Sequence, residues 1–100
     1  MKFNSTREAH LFLGDALYRQ EEYAKAKTAY QYIADNYPDH PQRGWLARFH
    51  VARCYQAMEN WVAAAASYQS IIDNDPNSPA VSAARIRRQI CVKNTLLVSP

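Results

Sequence analysis

The sequence predicts an all-α fold of two helical hairpins followed by a closing helix, on three observations. The first is a repeated stretch: EEYAKAKTAYQYIADNYPDHP at residues 21–41 returns as ENWVAAAASYQSIIDNDPNSP at 59–79. Nine of the 21 aligned positions are identical, among them Glu21/Glu59, Ala26/Ala64, Tyr30/Tyr68, Ile33/Ile71 and Pro38/Pro76. The second is the spacing of apolar residues, which recur every three or four positions, the period of one helical face. The third is composition: the chain is 48% apolar and rich in alanine, with only two glycines. No apolar–polar alternation bounded by turn dipeptides competes with helix.

Each element can be placed in order. Ser5 with Glu8 three residues later reads as a capping box, opening a first helix that runs to about Gln20. Its apolar residues Ala9, Leu13, Ala16 and Leu17 share one face. The second helix carries Tyr23, Ala26, Tyr30, Ile33 and Tyr37 on one stripe and stops before Pro38, because a residue ahead of proline disfavours helical geometry. His40-Pro41 and Ser78-Pro79 each set a candidate N-cap before a proline suited to the first helical turn. These marks put a third helix at about 41–58, a fourth at about 60–75 and a fifth at about 79–96. The breaks at Gln20-Glu21 and Glu59-Asn60 are short, so successive helices run antiparallel. A hairpin of this size cannot bury its apolar face alone, and repetition supplies the neighbour.

The repeated residues carry a family pattern. In the first unit they are Leu13, Gly14, Leu17, Ala26, Tyr30 and Pro38, and in the second Val51, Ala52, Tyr55, Ala64, Tyr68 and Pro76. This arrangement resembles the tetratricopeptide repeat and covers nearly the whole chain. Small residues (Gly14, Ala52, Ala26, Ala64) let the two helices of a hairpin approach, and Tyr30 and Tyr68 fill the gap between hairpins. The resemblance implies a right-handed superhelix, an α-α solenoid, forming one domain over 1–100. Its parts would be repeat one at about 5–38, repeat two at about 41–76 and a capping helix at about 79–96. Two departures stand out. His10 and Arg48 occupy the place of the family's tryptophan, and the period is 38 residues where about 34 is usual. The longer form with YPDHP- and DPNSP-like loops is similar to bacterial tetratricopeptide proteins of cell-envelope assembly, such as the Tol-Pal-associated coordinator and the lipoprotein of the outer-membrane barrel-assembly machine.

The resemblance also implies a ligand surface, since the first helix of each hairpin lines the concave side. Mapped here, that groove takes Glu8, Leu11, Asp15, Tyr18 and Arg19 from the first helix and Leu46, Phe49, Arg53 and Gln56 from the third. Carrying the 38-residue register forward adds Arg87, Cys91 and Asn94 from the fifth. Leu11, Tyr18, Leu46 and Phe49 would anchor a guest, and Asp15, Arg19 and Arg53 would orient it. Leu11, Leu46 and Phe49 are equally open to a second reading, as residues partly buried between helices. Leu11 and Asp15 occupy the first places of the family's carboxylate clamp, and an aspartate there repels a carboxylate. The expected function is protein or peptide binding. The alternative is self-association through Val92, Leu96 and Leu97, which no following helix covers.

Other chemistries find little purchase. The net charge of +3 is mild, and Arg85, Arg87, Arg88 and Lys93 on the fifth helix are not interleaved with aromatics that could stack on bases. They read as the polar outer face of a terminal helix, and nucleic acid is disfavoured as a partner. His50 and Cys54 are four apart on one helix, but no third ligand has defined spacing, so no metal site is expected. Cys54 and Cys91 form no CxxC pair. His10 and His40 read as surface and loop residues. No nucleophile elbow, phosphate loop or HExxH pattern occurs, so neither an enzyme nor a cofactor is expected. MKFNSTREAH lacks an apolar run of signal-peptide length, which as written places the chain in the cytoplasm. Removal of an upstream signal peptide would place it in the periplasm instead.

Overall fold

The computed structural model describes residues 6–37 and 44–98. These form five helices: α1 (Thr6–Arg19), α2 (Tyr23–Asn36), α3 (Gly44–Ala57), α4 (Trp61–Asn74) and α5 (Val81–Val98). No strand occurs among the described residues. Each helix packs on the next in chain order, and the molecule is a slab of 55 × 31 × 17 Å. That ordering, with neighbours in sequence as neighbours in space, is the mark of a helical-repeat solenoid.

The repeated stripe is what holds the layers together. From α2, Ala26 and Tyr30 pack with Val51 and Cys54 of α3, while Ile33 and Ala34 meet Ala47. From α4, the equivalent Ala64, Tyr68 and Ile71 pack with Ala52 of α3 and with Ala84 and Cys91 of α5. Each second helix is thus clamped between two neighbours, with its repeated residues Ala26, Tyr30, Ile33, Ala64, Tyr68 and Ile71 fully buried. Arg48, half-buried on α3, adds a polar tie: its guanidinium forks onto both carboxylate oxygens of Asp75, at 2.7–2.9 Å, fixing α3 to the end of α4.

The hairpin turns are also repeated, atom for atom. After α1, Glu21 N–H donates to the Tyr18 carbonyl and Glu22 N–H to that of Leu17. After α3, Glu59 N–H donates to Gln56 and Asn60 N–H to Tyr55. This is the Schellman closure, which needs a left-handed residue, and Glu21 (φ 63°) and Glu59 (φ 59°) supply it without being glycine. The left-handed region costs an L-residue about 1–2 kcal/mol. Glu21→Gly and Glu59→Gly are therefore each expected to stabilise the chain by about 0.5–1 kcal/mol, read from chemical denaturation. A loss of stability would mean that the glutamate side chains hold the turn. Asn60 then caps α4 by accepting from Ala63 N–H at 3.3 Å.

Three expectations need correction. Helix α5 starts at Val81, and Ser78 and Pro79 lie in the preceding turn, so this pair does not open the helix. Ser5, Pro38, His40 and Pro41, the other boundary marks, lie outside the described residues.

The second correction concerns register. Residues 37–43 link α2 to α3, whereas 75–80, one residue fewer, link α4 to α5. Val81, Ala84 and Cys91 are accordingly buried where Gly44, Ala47 and Cys54 are buried, an offset of 37. Cys91 is therefore core and not groove.

The third concerns α1. Ala9 and Leu13 are exposed, and among residues 8–19 of that helix Gly14 is the buried one. The Ala9/Leu13 face points to where a preceding hairpin would stand, and the described residues put none there.

A candidate binding face on α1, α3 and α5

The first helices of the stack, α1 and α3, and the closing α5 lie side by side, and polar and aromatic groups bridge them. Between α1 and α3, the Arg53 guanidinium lies over the Tyr18 ring, 4.5 Å from its centroid. Between α3 and α5, the Arg87 guanidinium lies over the Phe49 ring at 5.6 Å. These two cation-over-ring contacts form successive rungs of a ladder across the face.

Under the rungs stand the two repeated tyrosines. The Tyr30 ring seats against Gly14, where a Cβ would come within 2.7 Å of it, and the Tyr30 hydroxyl donates to Asp15. The other side of that ring stacks on His50 of α3 at 4.6 Å. In the second unit the residue matching Asp15 is Arg53, which has no acceptor to offer. The Tyr68 hydroxyl instead donates to Gln56 Oε1, one helical turn along, at 2.7 Å. Arg87 Nη1 donates to the same oxygen at 3.1 Å, and Phe49 meets the Tyr68 ring edge-on at 5.7 Å.

Electrostatics follow from this packing. Burial pushes the Tyr30 phenol well above the ordinary range, helped by its bond to Asp15, and pushes Tyr68 up to about 12. His50 moves the other way, down to about 4, because burial and the adjacent Arg53 both disfavour imidazolium, a trend that Asp15 opposes. Arg53 Nη1 sits 3.0 Å from His50 Nδ1. A guanidinium only donates, so Nδ1 is the acceptor and the proton of the neutral ring is on Nε2. Burial raises the Cys54 thiol to about 11 and moves the Cys91 thiol upward as well, so both side chains act as small apolar groups.

The residues expected in the groove are thus distributed. Tyr18 with Arg53, and Phe49 with Gln56 and Arg87, are brought together on the ladder. Asp15 faces it but is engaged by Tyr30. Leu11 and Phe49 pack against the core, and Leu46 is half-buried. Arg19 is exposed at the end of α1, Glu8 is half-buried, and half-buried Asn94 donates to the Ile90 carbonyl. His50, whose spacing to Cys54 points only to half of a metal pair, stands beside Arg53 and Tyr30 on this side of the molecule. Its place three residues before Arg53 on the same helix is the signal that could have put it there. Among the described residues no three His, Cys, Asp or Glu side chains gather in a way that could hold a metal ion.

The Tetratricopeptide repeat family model matches residues 3–41 and 13–79, overlapping registers that together take in most of the chain. The chain belongs to the tetratricopeptide repeat family. Proteins of this family generally mediate protein–protein interaction, and they are typically non-catalytic scaffolds. Neither the curated proteins nor the solved structures contain a match. None of the described helices is long and apolar enough to cross a membrane.

Proposed function

We propose that the α1–α3–α5 face is a groove for a peptide or helix of a partner protein. The observation that supports this is the ladder of Tyr18–Arg53 and Phe49–Arg87. Flat rings give a guest apolar area at small entropic cost, and the guanidiniums above them offer directed donors. Arg53 meets the neutral His50, and Arg87 the neutral Gln56 and Tyr68, so both favour a guest that brings a carboxylate to the α3–α5 end. Leu11 and Asp15 keep the α1 end unsuited to one. The 38-residue period and the YPDHP and DPNSP loops support a setting in bacterial cell-envelope assembly.

The test uses the chain as bait. Wild-type chain on a resin is expected to retain a defined set of proteins, and Arg53→Ala with Arg87→Ala is expected to weaken that retention about tenfold or more. Both side chains are half-buried over rings, so the melt of the double variant is recorded alongside and retention is compared at a temperature where both proteins are folded. Phe49 is unsuitable for this test, since it packs on Tyr68 and its removal opens the core. Undiminished retention by the double variant would remove the groove from the account.

A further inference from the structure

The outward face of α1 is a vacant copy of a junction that is filled one repeat later. Between the hairpins, α2 covers α3: Ala26 and Tyr30 pack with Val51, Tyr30 stacks on His50, and beside that contact Gln31 and Ala34 share a groove with four residues of α3 and α4, Arg48, Val51, Ser67 and Ser70. Subtracting 38 from the four groove residues gives His10, Leu13, Ala29 and Tyr32. Those four, with Leu17, Lys25 and Thr28, line a mostly apolar groove on the opposite side of the α1–α2 hairpin. The exposures tell the two apart. Val51 is 5% exposed under α2, while its counterpart Leu13 is 50% exposed. His50 is stacked under Tyr30, while its counterpart Phe12 is 69% exposed. The groove at the α1 end is built to the same plan and lacks the helix.

The other end of the molecule carries a helix with the corresponding stripe. On α2 the packed residues Ala26, Tyr30, Ile33 and Tyr37 recur at i, i+4, i+7 and i+11. On α5 the outward residues Ile86, Ile90, Lys93 and Leu97 recur at the same intervals, all exposed, with Ile90 at 44% and Leu97 at 72%. These positions lie within about 60° of one another on the helical wheel, on the side away from buried Ala84 and Cys91. Three of the four are apolar, and Lys93 takes the place of Ile33. The packed stripes of α2 and α4 are already occupied, because each of these helices is held between two others.

We propose that copies of this chain associate head to tail, with the α5 stripe of one copy seated on the Phe12/Leu13/Leu17/Tyr32 face of the next. α5 then does at the α1 face what α2 does at α3. The two surfaces differ, so the contact is heterologous and adds copies in one direction. Exposed apolar area of this kind at both ends favours burial, and the lysine in the stripe keeps the contact weak and concentration-dependent. This self-association uses the ends of the slab, separate from the ladder face, so it and the peptide groove stand or fall independently.

Sedimentation velocity decides it. The average mass of the wild-type chain is expected to rise steadily between about 1 µM and about 1 mM. Leu13→Glu and Ile90→Glu, both at exposed positions, should each remain monomeric while keeping the wild-type helical melt. Mixed in equal amounts, they should form a one-to-one dimer that grows no further, because one retains only its α5 end and the other only its α1 end. Phe12→Glu and Leu97→Glu provide the same arms should either first variant lose its melt. A wild-type chain that stays monomeric throughout overturns the proposal. So does an Ile90→Glu variant that still dimerises, which would pair two α1 faces, or a Leu13→Glu variant that does, which would pair two α5 helices.

Discussion

Replacing Tyr30 with alanine is expected to cost about 3–5 kcal/mol of folding stability. The ring is 1% exposed and is surrounded on every side: Gly14 beneath, His50 above, and Ala26, Val51 and Cys54 around it. A small domain has only about 5–15 kcal/mol in total, so most of the margin would go. Tyr30→Phe keeps the packing and loses the bond to Asp15, at a cost of about 1–2 kcal/mol. The close approach to Gly14 gives a sharper check. In the wild-type chain Gly14→Ala places a Cβ 2.7–2.9 Å from three ring carbons of a side chain that has nowhere to go, and it is expected to destabilise. With Tyr30→Ala already present, the clash is gone and alanine's helix preference over glycine, about 1 kcal/mol, turns the same change stabilising. Urea denaturation of the four proteins measures this sign reversal. Additive effects would show that Gly14 and Tyr30 are not in contact.

Acid is expected to loosen the protein through His50. Its folded pKa is lowered to about 4, whereas the unfolded chain takes up the proton near 6.5. Between those values the unfolded state binds more protons, so stability rises with pH through this window. It is fully present above about 6.5, falls as the pH drops towards about 4, and is flat below, with a total loss on the order of 2–3 kcal/mol. The groups facing the imidazole account for the direction. Arg53 donates to Nδ1 and repels a second cation, Tyr30 and Phe49 supply an apolar surround, and Asp15 is the one opposing charge. Carboxylates titrate at the lower end of the same window, so the measurement is a difference between wild type and His50→Phe. Thermal melts from pH 7 to pH 4 should converge on the acid side, with the wild type losing more. Parallel pH profiles would show that His50 is already solvated in the folded state.

The groove residues illustrate how far register carries. Tyr18, Arg53, Phe49 and Gln56 could be named from the sequence because the family resemblance implies that first helices line the concave side and the 38-residue repeat carries those positions from one unit to the next. One residue fewer between α4 and α5 moves each α5 residue about 100° from the place the 38-residue count gives it, so Cys91 falls in the core and Arg87 stands where His50 does, beside the repeated tyrosine, and reaches Phe49 from there. The resemblance implies an orienting charge at Asp15. Its carboxylate is instead the acceptor for Tyr30, a contact between residues fifteen apart that no local pattern announces.

The sequence by itself determined the helices, their pairing into hairpins and the stripe on which they stack. Those features depend on local period, on turn chemistry and on the repetition of Ala26, Tyr30 and Ile33 as Ala64, Tyr68 and Ile71. The tertiary structure alone decided which apolar faces find a cover. Leu13 and Val51 hold matching positions, and only Val51 is buried, because burial depends on the presence of a neighbouring helix. It also decided the proton on His50, the partners of Arg53 and Arg87, and the left-handed glutamates of the turns, all of which arise where distant segments meet or where closure forces the backbone.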